Sequence, residues 1–232
     1  MAALALGGLL AGCDLGAPVG TGPAGTAPSP GLSGRVVAGP PGSARALLAT
    51  LPVKGRAPKT GYDRDQFGPA WTDTNHNGCD TRNDVLARDL NGETFRAGTH
   101  NCVVLTGRLA DPYTGATIAF VKAHADAIQI DHVVALSDAW QTGAAGWPAR
   151  TRLAFANDPL NLLAVDGASN EAKGDGDAAT WLPPAKGFRC RYVARQIAVK
   201  AKYRLWVTPA ERAALTRVLA TCPAEPAPRG GS

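Results

Sequence analysis

Residues that could do chemistry are concentrated around the dipeptide Asp131-His132, which ends the β-branched run IQIDHVV. A histidine with a near-neutral pKa can take a proton from water, and an adjacent carboxylate can hold a hard divalent cation through oxygen. Consecutive side chains of a regular strand point to opposite faces, so the pair can share a site only where the strand ends or twists. The dipeptide therefore predicts a base and a metal ligand at a strand end.

Three more polar side chains follow downstream. Asn161 opens a second predicted strand, NLLAV, and Asn170 lies in the first turn of a predicted helix, with Lys173 on the same helical face. An asparagine oxygen can ligate Mg²⁺, or it can accept a hydrogen from an imidazole and fix its tautomer. The predicted order is strand, long loop, strand, turn and helix, with Ser169 as the N-cap of the helix.

A second set of oxygen ligands lies upstream in DTNHNGCDTRND. Asp73, Asn75, Asn77 and Gly78 fall at the first, third, fifth and sixth positions of an EF-hand-like loop, and Asp84 falls at the last. The last position is Asp rather than the usual bidentate Glu, and no clear helix precedes the loop. The sequence leaves two interpretations open, a Ca²⁺ loop and an Asx-rich turn.

The elements that must position these residues indicate a single α+β domain over residues 44–224. Short helices are predicted at ARALLATL and DVLARDL, and a strand is predicted at CVVLTGRLA. The segment TPAERAALTRVLATC predicts a helix with Thr208 as its N-cap, Pro209 at its first position and Glu211 completing a capping box.

Four cysteines lie in this domain, and an even number in an exported domain suggests two disulfides. We expect Cys79 to pair with Cys102 and Cys190 with Cys222, because each pair closes a modest loop. Metal binding is the alternative, although no CxxC spacing supports zinc.

The first residues, MAALALGGLLAGC, form an uncharged apolar stretch that is too short to span a bilayer. Its end resembles the lipobox of bacterial lipoproteins, in which the cysteine, here Cys13, becomes lipidated. We expect a signal over residues 1–13, a Gly/Pro/Ala-rich linker over residues 14–43 and a disordered tail over residues 225–232. The alternative is an ordinary apolar N-terminus, because the basic region expected of a signal is missing.

The net charge is +5, and much of the positive charge lies between residues 186 and 204. This basic segment suits a polyanion, and it equally suits a solvated helix face. Its members are Lys186, Arg189, Arg191, Arg195, Lys200, Lys202 and Arg204.

Asp131-His132, Asn161, Asn170 and Lys173 together resemble the ββα-metal (HNH, or His-Me finger) motif of the HNH endonucleases. More narrowly, DHVVALSDAW, FANDPLNLLAV and SNEAKGDGDAATWLPP resemble the HNH domain at the C-terminal end of GmrSD-type restriction enzymes, and especially its secreted actinobacterial relatives. The similarity extends upstream through YDRDQFGPAW, NGCDTRNDVLARDL and DPYTG. The third letter of HNH is Asn170 rather than His, which favours an oxygen-ligated ion over Zn²⁺.

The resemblance implies a role for each matching residue. His132 would be the general base, Asp131 and Asn170 would bind one divalent metal, and Asn161 would orient His132. Lys173 would contact the phosphate. The expected metal is Mg²⁺, with Mn²⁺ as the alternative.

Two arginines lie in other parts of the resemblance, Arg82 in CDTR and Arg64 in YDRDQFG. Either could reach the scissile or flanking phosphates. Ion pairing with Asp80 or Asp65 is an equally good explanation of both.

The implied function is a secreted, lipid-anchored, metal-dependent endonuclease that cuts DNA, and RNA as a further substrate, with little sequence specificity. We expect it at the outer face of the cytoplasmic membrane, held only by its lipid, with no obligate protein partner. A base with an ordinary histidine pKa predicts activity that falls below about pH 6. The alternative is a non-catalytic envelope lipoprotein that binds Ca²⁺ and polyanions.

Overall fold

The computed structural model describes residues 39–229, which form a mixed α+β domain as predicted. The expected signal with Cys13, and residues 14–38 of the expected linker, lie outside the described residues. The elements are α1 (Ala44–Leu48), α2 (Thr81–Asp89), β1 (Leu90–Phe95), β2 (Val104–Ala110), β3 (Thr117–Val121), β4 (Ile128–His132), α3 (Leu136–Gln141), α4 (Ala149–Ala156), β5 (Leu162–Asp166), α5 (Gly167–Lys173), α6 (Arg189–Lys202) and α7 (Pro209–Ala220).

The strands form two antiparallel sheets. Strands β1, β2 and β3 make one sheet in that order, and β4 pairs with β5 so that His132 lies opposite Leu162. Helix α5 follows β5 without a linker. Two antiparallel strands and a helix therefore lie together at the point where Asp131 and His132 end β4.

The start of α5 differs from the sequence prediction. Asp166, not Ser169, is the N-cap, and its carboxylate accepts a hydrogen bond from the backbone N–H of Ser169. A carboxylate satisfies that N–H and also interacts favourably with the helix dipole. Gly167 permits the immediate turn into the helix, because a Cβ there would lie 2.2 Å from the carbonyl oxygen of Asp126.

The β4–β5 pair is buried on both faces. Ile128 and Leu162 pack against α2 and the three-stranded sheet, whereas Leu163 and Val165 pack against α6 and α7. Burial on both faces leaves little room for the strands to shift. The end of β4 is consequently held in a rigid setting.

Both predicted disulfides are confirmed. Cys79–Cys102 joins the loop before α2 to the segment before β2, and Cys190–Cys222 joins α6 to the residues after α7. The residues that follow the second disulfide bond to the beginning of the domain. Ala44 N–H donates to the carbonyl of Glu225, and Ala227 N–H donates to that of Gly42. Residues 225–227 are therefore part of the fold, whereas the sequence predicted a disordered tail from residue 225.

Helix α7 begins as predicted, with both bonds of the Thr208–Glu211 capping box and Pro209 in the first turn. Helix α6 has 14 residues. Among residues 39–229, no helix is long and apolar enough to cross a membrane.

The basic segment does not form one continuous solvent-facing surface. Lys200 is buried and forms ion pairs of 3.0 Å with Asp138 on α3 and 2.7 Å with Glu211 on α7. Arg195 is partly buried and donates to backbone carbonyls. The exposed members are Lys186, Arg191, Lys202 and Arg204.

We predict that Lys200→Met lowers the free energy of unfolding by about 3–5 kcal/mol, because two carboxylates would lose a buried partner. Lys202→Met is the matched control on the same helix. Lys202 is 48% exposed and pairs with Asp158, so its loss should cost at most about 1 kcal/mol. Urea denaturation of both variants measures the difference. Equal decreases in the free energy of unfolding for the two variants would contradict the claim that the buried ion pairs of Lys200 stabilise the fold.

Candidate functional site

The end of β4 opens into a cleft of about 680 Å³. Both members of the Asp131-His132 dipeptide line it, as do residues of α5 and of the loop before α2. Its wall carries as many carboxylates as cations. The cations are Lys59, Arg64 and Arg82, and the carboxylates are Asp131, Glu171 and Asp175.

Asp131 is held from two sides. It is 4% exposed, its Oδ1 accepts a 2.8 Å hydrogen bond from Lys173 Nζ, and its Oδ2 accepts one from the hydroxyl of Tyr113. Lys173 Nζ also donates to the backbone carbonyl of His132 at 2.9 Å. A buried carboxylate needs such partners, because an unpaired buried charge is costly.

This arrangement corrects the role predicted for Lys173. Its side chain is buried, and its ammonium is engaged by Asp131 and the His132 carbonyl. Contact with a phosphate is therefore not what the structure shows. Lys173 instead fixes the position of the dipeptide.

The imidazole of His132 is oriented by a backbone carbonyl. Its Nε2 lies 2.8 Å from the carbonyl oxygen of Ala156 at the end of α4. A carbonyl oxygen only accepts hydrogen bonds, so Nε2 must carry the proton. The neutral ring then has its free lone pair on Nδ1. Trp71 stacks beside the ring, with centroids 6.1 Å apart and planes 15° apart, and it has a left-handed backbone with φ of 58°.

Burial lowers the pKa of His132 to about 4, despite the opposing hydrogen bond to Ala156. The positive charge of Arg64 lowers the pKa further, and the negative charge of Asp131 raises it. Desolvation is the largest of these effects because the protonated ring would have to be held away from water. At neutral pH, His132 is therefore an uncharged base.

Asn161 does not contact the imidazole, contrary to the sequence prediction. It is fully buried, its Oδ1 accepts from Val134 N–H at 2.9 Å, and its Nδ2 donates to the Val134 carbonyl at 3.2 Å. Its own backbone carbonyl accepts from Val133 N–H. Asn161 thus fixes the two residues that follow His132, and the carbonyl of Ala156 does the orienting.

Asn170 and Asp131 both line the cleft and supply the oxygen atoms that a metal would use. Asn170 donates from Nδ2 to Gln129 Oε1 at 2.8 Å, so its Oδ1 is left to accept. The Asp131 oxygens each retain a second lone pair. This donor set is all oxygen and low in charge, which fits Mg²⁺ held largely by water and substrate phosphate.

The two predicted arginines lie in the same cleft wall as His132. Arg64 is exposed and begins a short 3₁₀ turn, Arg64–Phe67. Arg82 is partly buried, and its guanidinium lies 3.4–3.5 Å from the carbonyl oxygens of Ala125 and Ile128. Burial lowers the pKa of Arg82, with nearby Asp80 opposing the shift.

The upstream loop is closed by its own hydrogen bonds. Gly78 N–H donates to Asp73, and the amides of Asn75 and Asn77 donate to the two carboxylate oxygens of Asp84. These bonds favour the Asx-rich turn that the sequence left open. The predicted Ca²⁺ loop stays a prediction, which a rise in Tm on adding Ca²⁺ to EDTA-treated protein would support.

Sequence reasoning missed three contributors to the site. Tyr113 lies in DPYTG and Trp71 in FGPAW, and both motifs were noted only as parts of the resemblance. The available signal was an aromatic residue within each polar, turn-rich segment. The carbonyl of Ala156 had none, because a backbone contact across 24 residues leaves no mark on residue type.

We predict that His132 titrates at about pH 4 in the metal-free folded protein. An unfolded histidine has a pKa of about 6.5, so the unfolded chain takes up this proton first. The stability due to neutral His132 is therefore present above pH 6.5 and is lost as the pH falls toward 4. NMR of the ring protons measures the pKa, with exposed His124 as the internal control. A His132 pKa near 6.5 would contradict the burial argument.

Residues 80–218 match the family described as GmrSD restriction endonucleases, C-terminal domain. An uncharacterized secreted protein of Arthroderma benhamiae is 42% identical over 182 residues, covering 78% of this chain and 85% of that protein. No solved structure matches. The family match spans more than half of the chain and includes β4, β5 and α5, so this chain belongs to the GmrSD C-terminal domain family.

Proposed function

We propose that this protein is a metal-dependent HNH-type endonuclease that hydrolyses phosphodiester bonds of DNA, with RNA as a further substrate. The observation that carries the proposal is His132, a neutral imidazole with Nε2 bound to the Ala156 carbonyl and Nδ1 left free, in a cleft whose wall also holds Arg64 and Arg82. Its position on two antiparallel strands followed by α5 supports a ββα-metal motif. The family is named for restriction endonucleases.

In this proposal, Nδ1 of His132 takes a proton from water as the water attacks phosphorus. The Ala156 carbonyl stabilises the resulting imidazolium through Nε2–H, as the third group of a catalytic triad would. Arg64 and Arg82 lie in the same wall and would hold the non-bridging phosphate oxygens. Lys173 and Tyr113 act through Asp131 and are positioning residues.

The proposed metal is Mg²⁺, with Mn²⁺ as an alternative, held by Asp131 and Asn170. When bound, it would supply charge stabilisation for the phosphate and the leaving oxygen. The donor set supports this choice because it contains only oxygen atoms. Removal of the metal with EDTA should abolish cleavage and leave the disulfide-linked fold intact.

The low pKa of His132 changes the expected pH dependence. A base with a pKa of about 4 stays unprotonated far below pH 6, so the fall in activity expected from an ordinary histidine should shift toward pH 4. We predict that kcat/KM for a small phosphodiester is nearly level between pH 7 and pH 5. A half-maximal point near pH 6.5 would contradict the site as described.

We also propose that the protein acts outside the cytoplasm, anchored through a lipid on Cys13. Two disulfides support an oxidising location, and the relative from Arthroderma benhamiae is described as secreted. Mass spectrometry of the membrane fraction would detect a lipidated N-terminal peptide that begins at Cys13.

Nicking of supercoiled plasmid tests the proposed activity. Purified protein should nick plasmid in Mg²⁺ or Mn²⁺ and not in EDTA. His132→Ala should lower the rate by about 10²–10⁴-fold, because general-base catalysis is lost. His124→Ala, which removes an exposed histidine outside the cleft, should retain the full rate.

One outcome would contradict the proposed endonuclease activity. Intact plasmid in every metal, from protein shown by circular dichroism and thiol titration to be folded and oxidised, would favour the non-catalytic lipoprotein that binds Ca²⁺ and polyanions. Equal rates for wild type and His132→Ala would instead exclude His132 as the base.

A further inference from the structure

A basic groove lies on the surface near the cleft. It has a volume of about 560 Å³ and is lined by three arginines, Arg88 on α2, Arg195 on α6 and Arg229 after α7. The carboxylate in its wall is Asp84. The groove thus has an excess of positive charge, whereas the cleft around His132 has equal numbers of cations and carboxylates.

Two of the three guanidiniums have no acidic partner among residues 39–229. Arg88 forms a 2.6 Å ion pair with Asp89, but within residues 39–229 no carboxylate lies within ion-pair distance of Arg195 or Arg229. Asp84 already accepts from two asparagine amides. Arg195 is fixed by hydrogen bonds to the carbonyls of Leu160 and Pro159, so its charge is positioned rather than freely mobile.

A smaller pocket shares wall residues with both the groove and the cleft. Ala156, whose carbonyl holds His132, is followed directly by Asn157, which lines the groove. This smaller pocket has a volume of about 120 Å³, and its wall includes Phe67, Trp71 and both His132 and Asn157. Leu160 in the groove is four positions after Ala156, so the two Cα atoms lie at most about 14 Å apart.

We propose that this groove binds backbone phosphates of the same nucleic-acid strand that is cut at His132. This inference rests on the proposed function and names the part of the protein that gives it affinity for a polymer. The groove would hold phosphates that flank the cleaved bond on the same strand. Trp71, which is partly exposed in the wall of the smaller pocket, offers a stacking surface for a flanking base.

The consequence is a separation between binding and chemistry. A small phosphodiester such as bis(4-nitrophenyl) phosphate occupies only the cleft, whereas a longer strand also neutralises the groove arginines. Substitutions in the groove should therefore weaken binding of long strands and leave turnover of the small substrate unchanged. Substitution of His132 should do the reverse.

The test is the salt dependence of binding to a fluorescent 12-nucleotide single strand, measured by anisotropy in EDTA so that no cleavage occurs. Each phosphate contact contributes about 0.7 to the slope of log K against log salt for single strands. The double variant Arg195→Gln/Arg229→Gln loses two such contacts. The magnitude of its slope should therefore be smaller by about 1.4 than that of the wild type. The control is Arg191→Gln/Arg217→Gln, which removes the same charge from exposed arginines outside the groove.

The outcomes separate this inference from the proposed function. If the groove variant and the control variant give equal slopes, the groove does not bind phosphates, and this result holds whether or not the protein cleaves plasmid. A different result is that the groove variant gives a slope of smaller magnitude while the wild-type protein hydrolyses neither plasmid nor the small phosphodiester. That result supports phosphate binding by the groove and contradicts the proposed endonuclease activity. If loss of the Arg195 backbone bonds unfolds the variant, Arg229→Glu against Arg217→Glu gives the same comparison at one position.

Discussion

The buried carboxylate of Asp131 is the constraint on which the site depends. A charge in this setting is tolerated only with partners, and the chain supplies them from two distant places, Lys173 on α5 and Tyr113 in the turn between β2 and β3. These contacts join β4, α5 and the three-stranded sheet at one point. Removing either partner would leave a buried charge under-satisfied, so the elements must meet there.

The reactive geometry follows from this connection. Lys173 also holds the carbonyl of His132, and Asn161 holds the next two residues through backbone hydrogen bonds. Gln196 on α6 donates to the carbonyl of Val133 at 3.1 Å. With the backbone on either side of the imidazole fixed, the Ala156 carbonyl needs to set only the rotation and tautomer of the ring. Preorganisation of this kind is what a general base requires.

Local patterns in the sequence predicted the mixed fold, both disulfides, the β4 and β5 strands and the capping box of α7. Each depends on residues that are close in sequence or on the pairing of a few cysteines. The cap of α5 was assigned to Ser169 because the Asp166-Gly167 pair also suits a simple turn. Close approach of the Asp126 carbonyl to Gly167 decides the outcome, and a tertiary contact of that kind leaves no local signal.

The residue types at the site were predictable, but their contacts were not. Asp131, His132, Asn170, Arg64 and Arg82 line one cleft, as their motifs suggested. Lys173 and Asn161 both face inward because the β4–β5 pair is buried on both sides. Lys173 neutralises the buried carboxylate of Asp131, and Asn161 satisfies the backbone N–H and carbonyl of Val134. The pKa of His132 is likewise a property of burial, so no inspection of neighbouring residues could supply it.

The most direct test of the central claim is a crystal structure of His132→Ala with a short oligonucleotide and Mg²⁺. The account predicts a phosphate in the cleft between Arg64, Arg82 and the position of residue 132, with the ion on the Asp131 and Asn170 oxygens. Nucleic acid bound elsewhere on the surface, with no phosphate in this cleft, would contradict the assignment of the site.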